Sequence, residues 1–183
     1  MSPLVLLIRR YAALTEQEAT LIAAEFEPVD FRKDDYLLRA GRVCEYYFFV
    51  ERGGCRIFHE VGEREITGWL AFEGNLFTEL QSFKSGRPSR FSIQALEDMR
   101  VWRLPRPAHF RLFQAVPGWQ AVVREVWEEA FLRLVDGILA FQTETAEQRY
   151  RKLAGVAQRV PLKHLASFLG ITPTSLSRLR AKK

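Results

Sequence analysis

Between about Phe31 and Leu104, aromatic and β-branched residues gather in short runs: Tyr46 to Val50, Arg56 to Phe58, Ile66 to Phe72, Phe91 to Leu96 and Val101 to Leu104. Glycines separate them, at Gly41, Gly53, Gly54, Gly62, Gly74 and Gly86. Runs of that length and composition predict strands, and the glycines predict the tight turns between them. Many short strands joined by turns predict an antiparallel β-roll of jelly-roll type (a double-stranded β-helix) rather than a parallel sheet. Ahead of the strands, Thr15 followed by Glu16, Gln17 and Glu18 has the pattern of a capping box. Leu21, Ile22 and Phe26 then give the apolar stripe of one short helix that ends by Pro28.

Beyond Pro105 and Pro107 the period changes, and from Trp119 to about Phe141 only Gly137 interrupts a long helix. Val123, Trp127, Ala130, Leu134, Gly137 and Phe141 alternate spacings of four and three, which is a heptad. A second set, Phe131, Leu132, Val135, Ile138 and Leu139, makes the C-terminal half apolar nearly all round. Such a helix must be covered on two sides. One side is expected to pack on the β-roll and the heptad face on the same helix of a second subunit, where small Ala130 and Gly137 permit close approach. Thr145 with Gln148 is another capping box, so a new helix should start there and run through Tyr150, Leu153 and Val156. The fold class is therefore α+β. The expected parts are a β-roll at 1–118, a dimerisation helix and hinge at 119–144, and a small helical domain at 145–183.

The last of these carries the clearest motif. Pro161 opens a helix with Leu162, Leu165, Phe168 and Leu169 at helical spacing; Ala166 is small where two helices would cross. Gly170 suits the left-handed position that ends the helix in a tight turn. Thr172 then caps a second helix with Pro173 in its first turn, and Ile171, Leu176 and Leu179 pack it back on the first. What remains outward is Thr174, Ser175, Ser177, Arg178 and Lys182, a face suited to phosphates and base edges. This is a helix-turn-helix reading, in which the second helix enters the major groove and Arg178 meets the paired acceptors of a guanine. Thr174 and Ser177 are candidates for bases or phosphates, and the capped N-terminus at Thr172 for a phosphate.

Charge supports this. The chain of 183 residues has a formal net charge of +5, but from Glu147 onward nine basic residues stand against that single acid, leaving the preceding body slightly acidic. A basic module behind a near-neutral body fits a polyanion reader with localised contacts. Cys44 and Cys55 make neither a disulfide framework nor a CxxC pair, which suits a reducing cytoplasm. The apolar stretch Leu4 to Ile8 is too short to span a bilayer, and Arg9 and Arg10 follow it rather than precede it, so no signal peptide is expected. No GxSxG, Walker loop or HExxH speaks for an enzyme. Two cysteines are too few for an iron–sulfur cluster, and His59, His109 and His164 lack metal-ligand spacing.

Taken in order, these parts resemble the Crp/Fnr family of bacterial regulators. The matching stretches are Leu37 to Gly41, Tyr47 to Val50 with Gly54, Gly74 to Leu80, and Leu162 to Lys182. The resemblance implies a cyclic-nucleotide-binding-like β-roll, and as partners duplex DNA, a second copy of the chain and RNA polymerase. It places the family's base-reading positions on Pro173, Thr174 and Arg178, of which Arg178 keeps the usual residue type. The sequence ends just after this helix, so the β-wing of many members is expected to be missing. The implied effector positions are Gly74, Thr78, Glu79, Leu80, Ser89, Arg90 and Leu134. Here Glu79 and Leu80 are kept, but Thr78 replaces a glycine. The arginine–serine pair that clamps phosphate becomes Ser89 and Arg90 in reversed order, which turns the guanidinium to the other side of an extended chain. Leu134 and Val135 occupy the adenine-contact positions and offer no hydrogen bonds. No cofactor is expected, a cyclic nucleotide is disfavoured, and the effector stays unnamed. A second reading stays open at this point: a ligand- or protein-sensing β-roll whose helix-turn-helix has lost specific DNA binding.

Overall fold

The computed structural model describes residues 2–181. Leu4, Val5, Leu7 and Ile8, in sequence only a short hydrophobic stretch, form the buried side of helix α1 (Pro3–Tyr11), which Ser2 caps through Val5 N. The cap expected at Thr15 is present in both directions, with Thr15 Oγ1 accepting from Glu18 N and the Glu18 carboxylate accepting from Thr15 N. It starts α2 (Glu16–Ala24), whose buried residues are Ala19 and Ile22.

Eight strands follow: β1 (Glu27–Phe31), β2 (Tyr36–Leu38), β3 (Tyr46–Arg52), β4 (Cys55–Val61), β5 (Arg64–Ala71), β6 (Leu76–Phe77), β7 (Phe91–Ala95) and β8 (Met99–Pro105), with helix α3 (Leu80–Ser85) between β6 and β7. All pairings are antiparallel and make two four-stranded sheets, in the orders β1-β8-β3-β6 and β2-β7-β4-β5. This is the antiparallel jelly-roll-like architecture the glycine-punctuated runs predict. Strands β1, β2 and β6 are additions. Two of them are only two or three residues long, too short for any alternation of apolar and polar positions to register.

Helices α4 (Arg106–Ala115) and α5 (Pro117–Thr143) come next, then α6 (Ala146–Lys152), α7 (Leu162–Leu169) and α8 (Pro173–Ala181). The second capping box holds, with Thr145 Oγ1 accepting from Gln148 N and Gln148 Oε1 accepting from Thr145 N. The helix it opens stops at Lys152, short of the expected Val156. From Leu153 the backbone tightens into three-residue turns, Leu153 N to Tyr150 O and Val156 N to Leu153 O, around Gly155, a residue costly inside a helix.

The main core lies between the sheets and under α1 and the first half of α5. Its centre is aromatic. Trp119 is fully buried, edge-on to Phe26 and Tyr47, and its indole N–H donates to His109 Nδ1 at 3.2 Å. The His109 ring stacks on Tyr47 with centroids 4.8 Å apart. A smaller core joins Tyr150, Ala157, Val160, Leu165, Ala166, Leu169 and Leu176 to Leu96 of the roll. Among the described residues no helix is long and apolar enough to cross a membrane. Replacing Trp119 by alanine removes the ring on which α5, α4 and β3 meet; urea unfolding is expected to show a loss of about 3–5 kcal/mol.

Candidate nucleic-acid interface and effector cavity

The turn between α7 and α8 is built as the sequence requires. Gly170 has φ +69°, and the Gly170 and Ile171 amides bond back to Ser167 and Ala166 carbonyls, so the chain reverses in three residues. Thr172 Oγ1 accepts from Ser175 N at 3.1 Å and caps α8. Pro161 stands at the cap of α7, one place earlier than expected. Leu165, Ala166, Leu169 and Leu176 are buried at the crossing. On the other side of α8, Thr172, Pro173, Thr174, Ser175, Ser177 and Arg178 are all exposed. The Ser175 hydroxyl is engaged with Thr172 Oγ1 at 2.9 Å. Arg180, by contrast, turns inward and donates to the Ala157 carbonyl at 2.7 Å, leaving Arg178 as the outward guanidinium of the helix. Lys182 lies outside the described residues.

Helix α7 is docked on the roll through contacts that local pattern does not reveal. Ser167 Oγ accepts from Thr67 N at 2.9 Å and donates to the Glu65 carbonyl at 3.0 Å. A side chain thus takes the place of a neighbouring strand at the free edge of β5. Arg159 lies over Phe72 and bridges two carboxylates, donating to Glu73 Oε2 at 2.9 Å and to Glu97 Oε1 at 3.0 Å. The Arg159 guanidinium holds the Glu73 carboxyl down at about 2. Arg149 stacks on Phe141 and donates to the Leu169 carbonyl at 3.0 Å, tying the end of α5 to the end of α7.

Under α5 the structure has a cavity of about 420 Å³, within the range of small-molecule sites. Of the expected effector residues, Thr78, Glu79, Leu80 and Leu134 line it; Gly74, Ser89 and Arg90 do not. The polar groups among them are already committed. Thr78 Oγ1 donates to the Tyr46 carbonyl at 2.7 Å, and the Glu79 carboxylate accepts from the Gln81 and Ser82 amides at the start of α3. Ser89 is buried with its hydroxyl looped onto Phe91, while Arg90 is exposed beside the Phe91 ring.

The heptad of α5 is redistributed. Val123 and Trp127 are half-buried against the roll, with the Trp127 indole donating to the Tyr47 hydroxyl at 2.9 Å. Ala130 and Leu134 line the cavity. Gly137 is half-buried, and Phe141 lies over Gly170, where a Cβ would meet its ring at 3.0 Å. Covering the open side of the roll takes up the first half of that face. Leu134 and Phe141 of the heptad are exposed, together with Phe131, Leu132, Val135, Ile138 and Leu139.

Residues 28–116 match the cyclic nucleotide-binding domain family. No curated protein matches the chain. Among solved structures the chain is similar to a putative transcriptional regulator of the Crp/Fnr family from Eubacterium rectale (16% identity, TM-score 0.72, 93% of this chain and 83% of that one). It is also similar to CLP, a c-di-GMP responsive global regulator from Xanthomonas campestris (15%, 0.71, 92% and 91%). A third similar structure is FixK2 from Bradyrhizobium japonicum (20%, 0.70, 86% and 83%). The antiparallel roll, long helix and terminal helix pair form the fold that the resemblance implied. The cyclic nucleotide named by the family does not fit the residues present. Neither Arg90 nor Ser89 reaches the cavity to clamp a phosphate, and the Glu79 oxygens are taken by backbone amides.

Two histidines are buried. Burial holds His109 down at about 4. His164, on α7 facing Glu65, is likewise held at about 4, by burial first and then by the nearby charges of Arg56 and Lys163. Both are ordinary histidines, near 6.5, once the chain unfolds, so between pH 6.5 and 4 the unfolded state binds more protons and stability falls as pH falls. Urea denaturation at pH 7 and pH 5 is expected to differ by about 1–2 kcal/mol per histidine, and His164→Gln should remove its share of that difference.

Proposed function

We propose that this chain, which carries a cyclic nucleotide-binding domain and is folded like the Crp/Fnr regulators, is a transcription regulator that binds specific duplex DNA as a homodimer. The observation that carries the reading is the solvent-facing side of α8: a capped helix with Thr174, Ser177 and an outward Arg178, held by a glycine turn in a basic module. Its width and chemistry suit the major groove, where a guanidinium pairs with the two acceptors of guanine. In this reading residues 1–118 are the sensor, 119–144 the dimer helix and hinge, and 145–183 the DNA-binding domain. The docking of α7 on β5 supports it as well, since that contact is made through Ser167 and leaves Arg178 exposed.

The dimer rests on the exposed apolar side of α5. Seven large apolar side chains from Phe131 to Phe141, with Ile138 and Leu139 each 51% exposed, form a patch that monomers in water rarely leave open. Pairing two copies of this helix covers both patches with one symmetric contact and sets two α8 helices to face half-sites about one helical turn of DNA apart.

Gel shifts on genomic fragments test the DNA reading. Wild type is expected to select fragments over bulk DNA, and Arg178→Ala to lose about 1–3 kcal/mol on the selected sites with relaxed preference at one base pair. Wild type that selects nothing favours a sensing module without specific DNA binding. Light scattering tests the dimer: twice the 21.2 kDa chain mass for wild type and a single chain mass for Ile138→Glu, with unchanged unfolding of the isolated chain because that side chain touches solvent.

A further inference from the structure

The cavity under α5 has a wall chemistry of its own. Trp69, Phe77, Phe91, Trp127 and Phe131 surround it, and among the described residues its one cationic side chain is Arg133. Strand β5 opens it by a bulge. Ile57 of β4 pairs with Trp69 and the next residue, Phe58, with Thr67, so Gly68 is left without a partner and bends the strand outward. Gly68 lines the cavity at its exposed edge, and a Cβ there would meet nothing within 4 Å, so a larger side chain has room to reach into the mouth. Glu79 turns both oxygens to the start of α3. Arg133 is only loosely engaged, with its Nε and one terminal nitrogen 3.4 Å from Glu129 and half its side chain in solvent.

We infer that this cavity binds a small amphipathic monoacid, an apolar body with a single acidic head, rather than a cyclic nucleotide. The body lies between the Trp69 and Trp127 rings, where burial of apolar surface supplies the affinity. The head meets Arg133 at the mouth, a charge-assisted contact that leaves no other charge to be satisfied inside. A cyclic nucleotide, with a charged diester, a ribose and a base edge, would find Thr78 and Glu79 already bonded to backbone and too few partners for its own polar groups. Phe131 and Leu134 belong both to this wall and to the exposed patch of α5. The assignment of the ligand as an effector rests on the regulator reading; its occupancy does not, and it is read without DNA.

Titration of the full-length protein with 2-naphthoate, decanoate, 2-naphthalenemethanol and cyclic AMP, followed by tryptophan emission, tests it, because Trp69 and Trp127 stand in the wall. A saturable change with one 2-naphthoate or decanoate per chain is expected, at least tenfold tighter than any response to cyclic AMP; the two acids distinguish an aromatic from an alkyl body. Gly68→Phe, which fills the space, should weaken both acids at least tenfold with an unchanged melting temperature, and Ile138→Glu, on the exposed patch, should leave them unchanged. Arg133→Gln should weaken the acids severalfold and spare the neutral alcohol. Tighter binding of cyclic AMP, acid binding indifferent to Gly68→Phe, or no saturable binding of either acid overturns the inference. Conversion of Gly68→Phe to a monomer in light scattering also overturns it, by giving the cavity to a second copy of the chain. Acid binding by a wild-type protein that selects no DNA fragment leaves the cavity standing and removes only the regulator.

Discussion

A helix of 27 residues that is apolar on more than one side must be covered on more than one side, and α5 governs the rest of the molecule through that requirement. Its first half finds cover within the chain. Trp119, Val122 and Val126 close the roll, and Trp127 reaches down to the Tyr47 hydroxyl. Its second half stands free of the roll and keeps Leu132, Val135, Ile138 and Leu139 in solvent. The helix therefore changes neighbours along its length, and the cavity lies where the change occurs, between the residues that seal the core and those that remain open.

The terminal helix pair depends on the same element. Phe141 packs over Gly170, and Arg149 stacks on Phe141 while holding the last carbonyl of α7. A second attachment comes from the roll, where Arg159 bridges Glu73 and Glu97 and Ser167 completes the edge of β5. Ion pairs of this exposure contribute little each, but a guanidinium shared by two carboxylates over an aromatic ring forms a network that orients as well as binds. The two attachments together leave the Arg178 side of α8 as the outward surface of the module.

What was legible in the sequence divides by distance along the chain. Thr15, Thr145, Gly170 and Thr172 act on neighbours within five residues, and the two capping boxes, the left-handed turn and the cap of α8 all stand where local chemistry put them. Helix α1 was missed because a short apolar run announces burial without announcing period. On α5 the two-sided apolar pattern was legible, but which side meets the roll was not, because both stripes are equally apolar and the choice is made by strands elsewhere. The Arg159 bridge had no signal at all, since its partners lie 62 and 86 residues away and any exposed acid would have read the same. The bulge at Gly68 was equally silent: a glycine within a strand marks a turn, a bulge or nothing, and only the pairing of β4 decides.

Strand β5 connects the two sites more directly than α5 does. Gly68 and Trp69 line the cavity, while the adjoining Thr67 and Glu65 give Ser167 its hydrogen-bond partners, so the wall of one site continues into the edge of the other within a few residues. A bulge is the part of a strand least held by its ladder, because its extra residue has no partner to keep register. The Thr67 amide that docks α7 stands next to it. The Thr67 hydroxyl is buried without a hydrogen-bond partner, and beneath it the buried Arg56 guanidinium is shared between Gln94 and Glu65. The strand that walls the cavity is thus the one on which α7 rests, and the polar groups at that junction are the least completely paired part of the contact.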